Sequence, residues 1–138
     1  MKRAWLRGKT CYLPRLVGRN MQFHRYERGN RLVKNHYGIP EPLVGAASIA
    51  PCNLDLVCLP LVAFDTAGRR LGMGGGFYDR CFQFKQASLY AHKRKPLLIG
   101  LAHNIQNVEC IPLEHWDITL DTIISDKRII TLSSQLPV

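Results

Sequence analysis

The sequence predicts an α/β domain, and three features carry that expectation. Two strings, Leu54–Phe64 and Leu97–Leu101, are close to continuously apolar, as strands of a parallel sheet are when both faces are covered. Between them Phe77, Cys81 and Phe84 recur at i, i+4 and i+7, the apolar stripe of a helix. Strand, helix, strand in that order is the unit of layered α/β folds.

Composition bounds what such a domain can do. The 138 residues suffice for one domain, 1–138, with a real core, and are too few for two ordinary ones. Lys and Arg number 19 against 10 Asp and Glu, a formal net charge of +9. A surplus of this size suits nucleic acid, a membrane surface or small polyanionic substrates. The basic residues are scattered, clustering only at Lys2–Lys9 and at Lys93, Arg94 and Lys95, where a solvated surface is the plainer reading. A nucleic-acid partner calls for a basic stripe interleaved with stacking aromatics, and the sequence has none. Five cysteines, odd in number and never in CxxC spacing, argue against a disulfide framework and against zinc. The expected compartment is the reducing cytoplasm. No apolar signal core follows Met1-Lys2-Arg3, and no run approaches membrane-spanning length.

Along the chain, Ala4–Lys9 has the character of a last helical turn, with Gly8 as its C-terminal cap. Thr10–Pro14 predicts a short strand closed by proline, followed by a basic turn over Arg15–Asn20. Met21–Tyr26 alternates apolar and polar, the period of a half-buried strand. Leu32-Val33 is a short partner strand after the Gly29-Asn30 turn, and 35–53, rich in Pro, Gly, Ala and Ser, is a long surface connection. Within Leu54–Phe64 the strand breaks at Pro60, which cannot donate to a ladder. Asp65–Gly68 is a type I turn, Asp first and Gly fourth. The helix carrying Phe77, Cys81 and Phe84 runs to about Tyr90, and Ile118–Ile124 and Arg128–Leu132 supply two more strands.

The stretch Arg70-Leu71-Gly72-Met73-Gly74-Gly75-Gly76-Phe77-Tyr78-Asp79 is where chemistry concentrates. Glycine permits positive φ and close approach of a ligand to the main chain. Successive N–H groups can cradle an anion ahead of a helix, and Arg70 could add forked donors suited to phosphate. Neither GxGxxG nor GxxxxGK[ST] fits: counted from Gly72, the dinucleotide pattern meets Phe77 where it requires glycine.

The surrounding residues resolve the ambiguity. Pro60-Leu61-Val62-Ala63-Phe64-Asp65, Gly68 and Arg70–Arg80 resemble the 5-formyltetrahydrofolate cyclo-ligase family. Gly8-Lys9 with Tyr12-Leu13-Pro14, Pro40-Glu41-Pro42 and Glu114–Ile118 extend the resemblance, in order, over nearly the whole chain. It implies a three-layer Rossmann-like sheet with flanking helices. It also implies an ATP- and Mg2+-dependent cyclisation of 5-formyltetrahydrofolate: the formyl oxygen is phosphorylated, N10 attacks the activated carbon, and phosphate leaves. Products are 5,10-methenyltetrahydrofolate, ADP and phosphate.

Carried over by residue, Arg70, Leu71, Gly72, Met73, Gly74, Gly75, Gly76, Phe77 and Tyr78 match the family's ATP-binding loop. Met73, Gly74, Gly75, Gly76 and Phe77 also face the folate, and Arg70 and Tyr78 take catalytic roles. Asp79 and Asp117 match the magnesium carboxylates. Asp121 competes with Asp117; four strand residues would part the two by roughly 13 Å, so one ion cannot take both. The family's basic N-terminal helix has no counterpart, so the resemblance implies a member shortened at its front. Loss of activity to leave a non-catalytic nucleotide or folate binder is the alternative. The five histidines show no metal or nucleophile spacing; His103-Asn104, following the Leu97–Leu101 strand, lies where α/β folds place ligands.

Overall fold

The computed structural model of the chain describes residues 1–87 and 96–132. It divides into two compact units, Met1–Asn53 and Leu54–Val138.

In the first unit, helix α1 (Lys2–Leu6) ends as Gly8 requires. Gly8 has φ of 68°, and the Gly8 and Lys9 N–H groups donate back to the Trp5 and Ala4 carbonyls at 2.9 and 3.0 Å. Strand β1 (Tyr12–Val17) runs through Pro14 instead of stopping there. It is the outer strand of a three-stranded antiparallel sheet with β2 (Asn20–Arg25) central and β5 (Ser48–Ile49) beyond. The Leu16 N–H, two residues past Pro14, points away from β2 and donates to Glu41 Oε1 at 2.9 Å. Pro14 faces the same way, so its missing donor costs no ladder bond. The predicted basic turn shrinks to Gly18-Arg19 between paired Val17 and Asn20.

Strand β3 (Leu32–Lys34) pairs with β4 (Pro40–Pro42), so 35–53 carries two strands, β4 and β5, instead of being plain connection. The anchor is Glu41, 4% exposed between two prolines. Its Oε1 accepts from Leu16 N and from Asn35 Nδ2 at 2.7 Å, which satisfies a carboxylate that would otherwise be costly to bury.

The second unit is built on a four-stranded sheet of order β11-β10-β9-β6: β6 (Leu56–Pro60), β9 (Leu97–Leu101), β10 (Thr122–Ile124) and β11 (Ile129–Thr131). β6, β9 and β10 are mutually parallel and β11 is antiparallel, a mixed sheet consistent with the α/β class. β6 stops at Pro60, as the missing donor dictates. One face holds the core: Val57, Leu59, Leu98 and Ile123 are at most 5% exposed, with Phe64 and Phe82 at 0%.

The other face departs from expectation. Register places Leu56, Cys58 and Pro60 beside Leu97, Ile99 and Leu101, and all of these except Ile99 are exposed. Among the described residues the apolar runs are therefore buried on one face only. An unbroken apolar string cannot reveal this, because both of its faces carry the same residue types.

The type I turn forms: Gly68 N donates to Asp65 O at 3.2 Å, and the Asp65 carboxylate, 2% exposed, accepts from Ala67, Arg69 and Ile111 N–H groups. The turn joins β7 (Ala63–Phe64) to β8 (Arg70–Leu71). Helix α2 is short, Phe77–Phe82, and continues as a 3-10 turn over Gln83–Gln86; Tyr90 lies outside the described residues. Its fully buried ring is Phe82, while Phe77, Cys81 and Phe84 are half-buried. Past Phe82 the turn tightens from 3.6 to about 3.0 residues, so the predicted spacing no longer keeps one face. β10 is likewise shorter than 118–124, leaving Asp117 and Asp121 ahead of the strand.

Candidate functional site

Hairpin β7–β8 delivers the glycine loop from the carboxyl end of β6, where open α/β sheets place ligands. Gly74 and Gly76 have φ of 85° and 60°, which L side chains rarely adopt. A Cβ at Gly75 would come within 2.8 Å of the Phe77 ring. The loop is thus glycine for backbone reasons, and it turns outward: Met73 is 92% exposed and Leu71 52%. Arg80 braces it, donating from Nη2 to the Gly75 carbonyl at 2.9 Å with its guanidinium 5.1 Å from the Phe77 ring centre.

Arg70 is not a loose surface cation. Its side chain is 4% exposed, and Nη2 donates to Asp79 Oδ1 at 2.7 Å. Its buried Nε has no acceptor, and its guanidinium stands 5.9 Å from the Tyr78 ring centre. Burial pushes the Tyr78 phenol above its usual pKa, and the Arg70 charge offsets part of that rise. The neutral phenol is a donor at physiological pH. Burial also lifts the Cys81 thiol to about 11, removing it as a nucleophile.

Asp79 and Asp117 are brought to one place by a single peptide group. Asp79 Oδ1 accepts from Ile118 N at 3.3 Å, and Gln86 Nε2 donates to Asp117 O at 2.8 Å. The 117–118 peptide is held at both ends by the α2 segment. Asp117 Oδ2 accepts from Glu114 N at 2.9 Å. Among the described residues each carboxylate therefore has one oxygen engaged and one, Asp79 Oδ2 and Asp117 Oδ1, with no hydrogen-bond donor. Asp121 is committed elsewhere: its Oδ2 accepts from Leu98 N at 2.7 Å and from Lys85 Nζ at 3.0 Å. Among the described residues no cluster of three or more His, Cys, Asp or Glu could hold a metal without further ligands.

Gln86 and Arg80 were not singled out from sequence as site residues. Asp79 and Gln86 lie two helical turns apart, which is the one signal that could have found Gln86. His103 caps a 3-10 turn at Asn104–Gln106, where Gln106 Oε1 accepts from its N–H at 2.6 Å. Gln106 Nε2 donates to the Leu61 and Val62 carbonyls, tying the exits of β9 and β6 together.

A sequence-family model described as the 5-formyltetrahydrofolate cyclo-ligase family matches residues 1–126. The chain is similar to the 5-formyltetrahydrofolate cyclo-ligase of Escherichia coli K12, 40% identical over 133 residues, covering 94% of this chain and 70% of the relative. It is similar also to that of Haemophilus influenzae, 41% identical over 124 residues, covering 87% and 63%. The NMR structure of Aquifex aeolicus 5,10-methenyltetrahydrofolate synthetase superposes with a TM-score of 0.78 at 31% identity, covering 99% of this chain and 66% of that one. The chain thus spans roughly two thirds of the length of the proteins it matches. A match over residues 1–126, agreeing in sequence and in backbone, leaves one reading: the chain belongs to the 5-formyltetrahydrofolate cyclo-ligase family.

Proposed function

We propose that the chain acts as a cyclo-ligase, closing 5-formyltetrahydrofolate to 5,10-methenyltetrahydrofolate at the expense of ATP. The observation that carries this reading is the outward glycine loop of residues 72–76 beside two carboxylates with unengaged oxygens. Bare backbone can approach a triphosphate, and the buried, unpaired Arg70 Nε–H is a donor in want of an acceptor. Tyr78 supplies a neutral hydroxyl donor. Met73 and Phe77 offer apolar contact to the folate ring. The Rossmann-like three-layer arrangement belongs to the same proposal and rests on the parallel β6, β9 and β10.

The donor set fits magnesium, a hard cation usually held by one or two carboxylates with waters and substrate phosphate. Asp79 and Asp117 would hold it, and once bound it would neutralise charge on the phosphates. The protein's own contribution is position and charge: a formyl oxygen is a poor leaving group until phosphorylated, and the loop must hold donor and acceptor in line.

Following methenyltetrahydrofolate absorbance with ATP, Mg2+ and 5-formyltetrahydrofolate tests the proposal. Turnover is expected, with Asp79→Asn and Asp117→Asn each lowering kcat/KM on the order of a hundredfold. Nucleotide binding by calorimetry without turnover would instead identify a non-catalytic binder.

A further inference from the structure

We infer that Arg70 is a built-in counter-cation that closes the Asp79–Asp117 site to a free divalent ion and opens it to an ion arriving with a phosphate chain. The inference rests on the proposed function for its ligand, and on the geometry of one ion pair for its mechanism.

Three observations meet at Arg70. Its side chain is 96% buried and cannot swing into solvent to make room, being 4% exposed. Nη2 lies 2.7 Å from Asp79 Oδ1, so half of the cation site's formal charge is already balanced. Nε is buried with no acceptor. With Asp79 and Asp117 as the carboxylates and Arg70 paired to Asp79, the three groups carry a formal net charge of −1. A free cation would meet a guanidinium fixed within contact distance of its own ligand. Repulsion between like charges at short range lowers what the free oxygens of Asp79 and Asp117 return to a bare ion.

The balance reverses when the ion brings phosphate. The Arg70 atom beside the loop is Nη1, 3.1 Å from where a Cβ on Gly72 would stand. An anionic oxygen at the loop therefore neutralises the guanidinium charge, and the same residue favours the phosphate-bearing ion while it opposes the bare one. Among the described residues, Arg80 bonds the Gly75 carbonyl and Lys85 is paired with Asp121. The same residue therefore acts with opposite sign on the two forms of the metal. Arg70 is in this respect a positioning and selectivity residue acting through Asp79.

The experiment reads that sign. Mn2+ serves as probe, its binding followed by electron paramagnetic resonance and water-proton relaxation, first alone and then as Mn–ATP. The parent chain is expected to bind free Mn2+ weakly. Arg70→Met should bind free Mn2+ at least tenfold more tightly and Mn–ATP at least tenfold more weakly. Adding Asp79→Asn to Arg70→Met should remove the gain, and Arg70→Lys, which keeps the charge, should leave free Mn2+ binding as in the parent. Should Arg70→Met melt earlier than the binding temperature, Arg70→Gln, which is neutral and still donates to Oδ1, makes the same comparison.

Weakening of both forms would mean a merely structural role and would overturn the inference. So would unchanged free Mn2+ binding, which would make Arg70 a phosphate ligand uncoupled from Asp79. Failure of the parent to bind Mn–ATP at all would instead sink the proposed function, while the free Mn2+ comparison would still stand or fall alone.

Discussion

Asp117 and Asp121 share a side chain and lie four residues apart, yet their surroundings give them different work. Asp121 Oδ2 already takes the Leu98 N–H and the Lys85 ammonium, which ties β9 to the segment ahead of β10. Asp117 has, among the described residues, no cation paired with it, and it is carried on a peptide clamped by Asp79 and Gln86. Asp121→Asn should therefore destabilise the chain by about 1–2 kcal/mol, the worth of a charge-assisted bond, and leave Mg2+-supported nucleotide binding within about twofold. Asp117→Asn should do the reverse. Urea denaturation and calorimetric titration of both variants separate the effects. A larger binding loss at Asp121 would reassign the metal carboxylate.

Strand β9 presents the same contrast one level up. Leu98 is fully buried and Leu97, its neighbour, is 41% exposed on the opposite face. Leu98→Ala should cost about 2–5 kcal/mol in denaturant unfolding, and Leu97→Ala less than about 1 kcal/mol. Equal losses would mean that something covers the Leu56, Leu97 and Leu101 face in solution. The positions of β2, β6, β9, the Gly8 cap and the Asp65 turn were legible because each rests on local chemistry: alternation, apolar runs, or a glycine or aspartate at a fixed offset. Leu32-Val33 was legible as a short strand, β3, but its partner β4 and the strand β5 were not. β4 and β5 contain three residues or fewer, β4 bears two prolines, and β4 is anchored by the buried Glu41, which no periodicity announces. One-sided burial of β6 was equally hidden, since Leu56 and Val57 are both apolar.

At the scale of the whole molecule, the glycine loop was readable as a loop, because the positive φ at Gly74 and Gly76 leaves few alternatives to glycine there. What sequence could not give was the state of Arg70: whether it reaches solvent or, as here, is buried against Asp79. The net charge of +9 acts over longer range than any of these contacts. Under the proposed function both substrates are polyanions, so the field raises the rate of encounter without adding a contact. Screening should remove it: the Debye length is about 30 Å at 0.01 M salt and about 8 Å at 0.15 M. Raising NaCl from about 10 mM to about 300 mM should then slow Mg–ATP association by roughly tenfold, with dissociation changing by less than about threefold. Stopped-flow fluorescence with a labelled ATP analogue measures both. Duplex DNA offers the comparison that matters, because a scattered charge steers while a stripe grips. Affinity for DNA that persists at physiological salt, with a steep log–log slope reporting several phosphates neutralised, would show that the positive surface serves a nucleic acid and not the small polyanions.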